Sequence, residues 1–140
     1  MIARVLLDTG PFVALLDADD LWHQACTEQL RDIALPMLTT WPVLAEADWL
    51  LRSHPQAVQQ MLQWVHSEMI TLLPIGEEAM LRMGAFLRKY RKAQIADASL
   101  VYLAEEYDTN TVFTLDRRDF ANYRFGRNRS FRILPERVLR

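Results

Sequence analysis

A chain of 140 residues, 51% hydrophobic and 24% charged, is long enough to bury a core without staples and too apolar to be disordered. No apolar run approaches the roughly 20 residues of a membrane-spanning helix. The stretch Val5 to Leu16 holds Asp8 and Pro11 and lacks the small-residue site of a secretory leader, so a cytoplasmic protein is expected. Cys26 is the only cysteine, which excludes an internal disulfide and suits a reducing compartment. The net charge of −2 hides an asymmetry. Residues 1–115 carry 8 Lys/Arg and 15 Asp/Glu, a net −7, whereas residues 116–140 carry 8 Arg and 3 acids, a net +5. Such a tail either holds a polyanion near an acidic site or pairs with the protein's own acids.

In chain order, Ile2 to Leu7 is an apolar run without clean alternation, as in a strand buried on both faces. Phe12 to Leu16 reads as a short helix. Asp19 or Asp20 is placed to cap the next one, whose apolar positions Trp22, Ala25, Cys26, Leu30 and Ile33 fall at helical spacing. Met37 to Thr40 is a second strand. Pro42 then opens a helix with Val43, Ala47, Leu50 and Leu51 on its apolar face. A further helix is expected from Pro55 to Glu68 and a third strand from Ile70 to Ile75. Helices follow over Glu77 to Arg91 and Gln94 to Tyr107. Thr111 to Leu115 and Phe131 to Leu134 complete the strands. Strands alternating with helices predict one α/β domain over 1–140: a three-layer α/β/α sandwich around a parallel sheet of about five strands.

In such a sheet ligands bind outside the carboxyl ends of the strands. Asp8 closes the first strand and Asp116 the fourth; Glu46 lies one turn into the helix after the second strand, and Asp97 in the first turn of the helix before the fourth. The topology therefore brings four distant acids to one edge. Gathered carboxylates raise one another's pKa unless a cation offsets them. Oxygen donors of this kind suit Mg²⁺ or Mn²⁺, which takes one or two carboxylates and keeps its waters and supports hydrolysis of a phosphodiester. His23, His54 and His66 lie outside every strand end, which argues against zinc.

Each acid also has a plain reading: Asp8 as a turn residue, Glu46 as a solvated helix residue, Asp97 as an acid favoured by the helix dipole, Asp116 as a cap. Other chemistries fail on residues. Asp8-Thr9-Gly10 is also an aspartic-protease triplet, but that enzyme needs a mostly β scaffold with two copies of the loop. Phosphotransferases with an Asp at a strand tip want Asp-x-Asp, or an acidic pair with a later Lys; here position 10 is Gly, and Asp116 follows Leu115.

Four segments in this order resemble the PIN-domain family, and most closely its VapC-like toxins: Leu7-Asp8-Thr9-Gly10-Pro11, Thr40-Trp41-Pro42-Val43-Leu44-Ala45-Glu46, Ala96-Asp97-Ala98-Ser99-Leu100-Val101 and Phe113-Thr114-Leu115-Asp116-Arg117-Arg118-Asp119-Phe120. The resemblance implies a metal-dependent ribonuclease with catalytic and metal-holding Asp8, Glu46, Asp97 and Asp116. It matches Thr114 to a supporting hydroxyl and Asp119 to a position that is acidic in part of the family; Thr9 is a further support for Asp8. Arg117 and Arg118, with the other tail arginines, are the expected phosphate contacts. A toxin of this kind further implies a small antitoxin and a homodimer. The alternatives are a PIN nuclease with an RNA-processing role outside a toxin pair, or a PIN-like module that binds RNA or protein without cutting.

Overall fold

A computed structural model describes residues 1–136. Five short strands form one parallel sheet in the order β3-β2-β1-β4-β5. They are β1 (Leu6–Leu7), β2 (Met37–Thr39), β3 (Ile70–Leu72), β4 (Thr111–Phe113) and β5 (Arg132–Leu134). Around them the described residues form α1 (Thr9–Leu16), α2 (His23–Leu30), α3 (Trp41–Leu50), α4 (Pro55–His66), α5 (Ala79–Lys89), α6 (Ile95–Glu106) and α7 (Arg117–Asn122). The architecture is the expected α/β/α sandwich.

Burial explains the sheet's sequence. Leu6, Leu7, Val112 and Phe113 are all 0% exposed, so the two central strands are apolar on both faces and show no alternation. Helix α6 is covered nearly all round, with Ala98 through Ala104 buried and Asp97 only half-buried.

The strands are shorter than the apolar runs. Arg4 adopts a left-handed φ of 55°, which breaks the first run; Ile2 pairs with Ile33 in a separate bridge instead. The third strand stops at Leu72 because Pro74 has no N–H for the ladder, although the Leu73 amide still donates to the Thr39 carbonyl at 3.0 Å. Asp20 caps no helix: its carboxylate accepts from the Trp22 amide at 2.8 Å, and Asp17 accepts from the Asp19 amide at 3.0 Å. Both are turn bonds that place the entry to α2.

Register fixes the functional edge. Leu7 pairs with Phe113 and Leu6 with Leu38, while Thr39 pairs with Leu72. The carboxyl ends of β1, β2, β3 and β4 therefore lie at one height, and the next residues are Asp8, Thr40, Leu73 and Thr114.

Candidate active site

Asp8 leaves β1 with its amide still donating to the Phe113 carbonyl at 2.9 Å. It is only 7% exposed. Its Oδ2 accepts a hydrogen bond from Thr114 Oγ1 at 2.6 Å, and the same Oγ1 accepts from the Asp116 amide at 3.0 Å. One buried hydroxyl thus ties the end of β1 to the residue that opens α7. Burial pushes the Asp8 carboxyl up to about 6; the Thr114 hydroxyl and the Thr9 amide oppose this, and the charges of Asp97 and Glu46 add to it.

The two helix-borne acids are held differently. Asp97 Oδ2 accepts from the Gln94 amide at 3.0 Å, closing the first turn of α6 and leaving its second oxygen uncommitted. Burial raises this carboxyl as well, with further lift from Glu46 and Asp119. Glu46, half-buried on α3, takes no hydrogen bond or ion pair among the described residues. The starts of α3 and α6 are joined by Thr40 and Ser99, both 0% exposed, whose hydroxyls lie 2.7 Å apart. Ser99 Oγ donates to the Ala96 carbonyl at 2.6 Å, so the Thr40 hydroxyl is the donor to Ser99. Thr40 in turn accepts from the Val43 amide at 3.4 Å as the cap of α3.

Asp116 and Asp119 complete the group across the first turn of α7. Burial, then a hydrogen bond and repulsion from Asp119, and the charge of Asp97 push the exposed Asp116 up to about 6. Asp97 is the common neighbour: its charge acts on both Asp8 and Asp116, and Glu46 and Asp119 act on it. Through Asp97 the structure links all five acids in one chain of charge interactions. Of the expected phosphate contacts, Arg117 turns inward to donate to the Pro135 carbonyl, and Arg118 stays exposed beside Asp119. The other tail arginines are largely occupied: Arg129 pairs with Asp108, Arg132 with Glu136, and Arg124 donates to the Ala121 and Tyr123 carbonyls. Arg137 and Arg140 lie outside the described residues.

Two features escaped the sequence reading. The Thr40–Ser99 clasp was not legible because both residues look like ordinary helix-start hydroxyls. Tyr123, 3% exposed, packs edge-on against Phe86, Tyr90 and Phe120 at 4.9–5.0 Å between ring centres. Burial raises its phenol, helped by the charges of Asp97, Asp119, Asp116 and Asp8. Its spacing three residues after Phe120 was the available signal.

The donor set fits a hard divalent cation. The acids are oxygen donors, three of them are held above the ordinary carboxylate range, and no ion pair among the described residues offsets them. Thr9 Oγ1, next to Asp8, is the one buried side-chain oxygen or nitrogen without a partner among the described residues. No three of the described His, Cys, Asp or Glu side chains are gathered tightly enough to form a ready-made ligand cluster. The acids feel one another's charge without converging on a single point.

The acids stand at the carboxyl edge of a parallel α/β sheet, where folds of this class bind their ligands. The PIN domain family model matches residues 5–126, and the chain belongs to that family. It is similar to the ribonuclease VapC26 of Mycobacterium tuberculosis, with 30% identity over 135 residues that cover 94% of this chain and all of that protein. Its fold matches the crystal structure of the Mycobacterium tuberculosis toxin VapC20, described as cleaving the sarcin-ricin loop. There the TM-score is 0.74 at 17% identity, covering 82% of this chain and 92% of the other.

Proposed function

We propose that this protein is a Mg²⁺- or Mn²⁺-dependent endoribonuclease acting as the toxin of a toxin–antitoxin pair. The observation that carries the reading is the acidic edge itself: Asp8, Asp97 and Asp116, from three separate segments, are all raised by burial and by neighbouring acids, with the charge of Glu46 acting on Asp8 and Asp97 and no described ion pair to offset them. Kinship with VapC26 over the full length of that ribonuclease supports the substrate class.

In this reading Asp8, Glu46, Asp97 and Asp116 hold the metal, with Asp119 supporting Asp116. When bound, a divalent cation supplies positive charge for the phosphodiester and a more acidic water. The chain's own residues do the rest. Thr114 holds one oxygen of Asp8 by donating to it and fixes the Asp116 backbone by accepting from it. Gln94 holds one oxygen of Asp97. The Thr40–Ser99 clasp keeps the helices of Glu46 and Asp97 in register. Thr9, buried and unpartnered beside Asp8, offers a further oxygen.

The whole chain, 1–140, works as a single domain. It forms a homodimer in the cytoplasm, and a small antitoxin covers its acidic edge; no helix among the described residues is long and apolar enough to cross a membrane. The test is cleavage of a structured fluorescent RNA with Mn²⁺, with Mg²⁺ and with EDTA. Metal-dependent cutting that vanishes in Asp8→Asn and Asp97→Asn, both still folded, is the expected result. Unchanged cutting in either variant overturns the assignment. A Mn²⁺-dependent rise in melting temperature lost in both variants, without any cutting, means a built site offered the wrong RNA or held by a bound inhibitor; neither cutting nor metal binding transfers the protein to the binding-module alternative.

A further inference from the structure

We propose that the last turn of α5 and the loop after it, which together carry Arg88, Lys89, Arg91 and Lys92, form with the apolar cavity beside them the surface that grips the single-stranded RNA. The loop holds the phosphates and the cavity seats an unpaired base. The proposal rests on the ribonuclease reading and names the part of the molecule that reading leaves open.

Charge accounting singles out this loop. The tail looks basic in sequence, yet Arg117, Arg124, Arg129 and Arg132 are all turned to carbonyls or acids of the protein itself. Among the described residues, Arg88, Arg91 and Lys92 take part in no ion pair, hydrogen bond or ring contact, and Lys89 only lies over the Tyr90 ring at 5.3 Å. All four are exposed. The segment from Ala79 to Ala96 contains no acid at all, and both lysines of the chain fall within it. The structure therefore leaves a concentrated patch of free positive charge on the body that the sequence reads as acidic.

Position gives the patch its meaning. Leu87 precedes the basic run and Ile95 follows it, and both line one cavity of about 320 Å³. Its other walls are Trp41 and Pro42 at the start of α3, Leu73 and Ile75 after β3, and Met80, Met83 and Gly84 of α5. This is the carboxyl edge of β2 and β3, next to the edge that bears Asp8. The same two helix starts supply acids: Glu46 follows Trp41 on α3, and Asp97 follows Ile95 on α6. Trp41 is 63% exposed, Ile95 59% and Met80 51%, so large apolar groups stand in water at the mouth. The volume falls at the small end of ligand sites, roughly 300–1,000 Å³, as suits a single ring system. A basic track with an aromatic platform beside it is how proteins hold single strands: charge follows the phosphates and the ring stacks on a base.

A second copy of the chain fits this face less well. A twofold interface buries the same face of both copies, which would bring two unpaired basic runs into one contact region with no acid among Ala79 to Ala96 to offset them.

The experiment measures binding of a short fluorescein-labelled single-stranded RNA by anisotropy, in EDTA, over a range of salt. Four proteins are compared: wild type, Arg91→Gln/Lys92→Gln, Trp41→Ala, and Arg31→Gln/Arg52→Gln as a charge-matched control at exposed positions outside every assigned site. The loop pair is expected to weaken binding roughly tenfold at low salt and to reduce the slope of log K against log salt by about 1.4, two phosphates' worth. Trp41→Ala is expected to weaken binding roughly tenfold with the slope unchanged, the mark of stacking. The control should bind as wild type does. Lys92→Gln alone, expected to lower the slope by about 0.7, serves if the double variant is unstable. Unaltered affinity and slope in the loop variants overturn the proposal. So does a larger loss of binding to a poly-glutamate peptide than to RNA. A third overturning result is loss of self-association in Trp41→Ala, read by light scattering, with RNA binding intact. Because binding is read without metal, the two readings separate. Binding with the expected losses but no cutting by Mn²⁺-loaded wild type sinks the nuclease and keeps the surface. Cutting with wild-type KM in the loop variants does the reverse.

Discussion

Asp8 and Asp97 come to the same edge by different means. Asp8 ends a central strand, is 7% exposed, and is pinned through its side chain by the Thr114 hydroxyl. Asp97 rides on the first turn of α6, is half-buried, and is fixed by the Gln94 amide within its own turn. The strand-borne acid is placed by the sheet and depends on a residue 106 positions away. The helix-borne acid is placed by local capping and depends on the packing of its whole helix. One position is dictated by non-local hydrogen bonding, the other by docking of a preformed element.

The largest effect should appear in catalysis, where the two acids must behave alike. Asp8→Asn and Asp97→Asn should each lower metal-dependent cleavage by about 10³-fold, measured on the same fluorescent RNA. Retention of activity by either one would break the comparison at its root.

Stability should separate them. The Asp8 carboxyl is raised from 3.8 to about 6 in the folded protein, so the folded state binds its proton more tightly than the unfolded state does. That preference stabilises the fold fully below pH 4 and is lost as pH rises through 6. Metal-free protein should therefore lose on the order of 3 kcal/mol from this group between pH 4 and pH 7, seen by denaturant titration. Asp8→Asn should flatten that pH dependence and make the metal-free protein more stable at pH 7. Asp97→Asn should flatten it less, because Asp97 is less buried. Mn²⁺ should raise the melting temperature more at pH 7 than at pH 5, as its ligands ionise.

The hydroxyls sharpen the comparison further. Thr114→Val removes the bond that lowers the Asp8 carboxyl, so its pKa should rise and the acid limb of the pH–rate profile should move to higher pH. Apparent Mn²⁺ affinity should fall roughly 10–100-fold, with kcat at saturating metal much less affected. Ser99→Ala acts on the helix pair instead. It leaves the buried Thr40 hydroxyl without its acceptor, for about 1–3 kcal/mol of stability, read as a lower melting temperature with the pKa of Asp8 unmoved. The smallest effect belongs to Asp119→Asn. Removing its charge should lower the Asp116 pKa, visible by NMR titration, with the exposure of Asp116 limiting any change in stability.

Parts of this arrangement were legible in the chain and parts were not. The alternation of elements and the four acids in their order were readable because apolar runs and helical spacing record burial directly. Strand ends were not: Arg4 and Pro74 end ladders that the apolar runs at Ile2 to Leu7 and Ile70 to Ile75 extend through. Neither Asp19 nor Asp20 became a cap: the Asp20 carboxylate serves the Trp22 amide and the Asp17 carboxylate the Asp19 amide, since side-chain oxygens serve whichever amide the loop presents. The basic tail misled for a similar reason. Charge counts do not reveal which arginines the protein uses on itself, and most of the described ones beyond Asp116 are so used.

By itself, then, the sequence determined a parallel α/β sandwich and the acid types available at strand ends and helix starts, because periodicity and local capping depend on neighbours in the chain. Only the tertiary structure decided which acids meet, through a strand order of β2-β1-β4 that sets Asp8 between the segments of Thr40 and Thr114. It also decided which hydroxyls bind them and which cations stay free. Those outcomes turn on hydrogen bonds and ion pairs between residues far apart in sequence, and no local pattern records them.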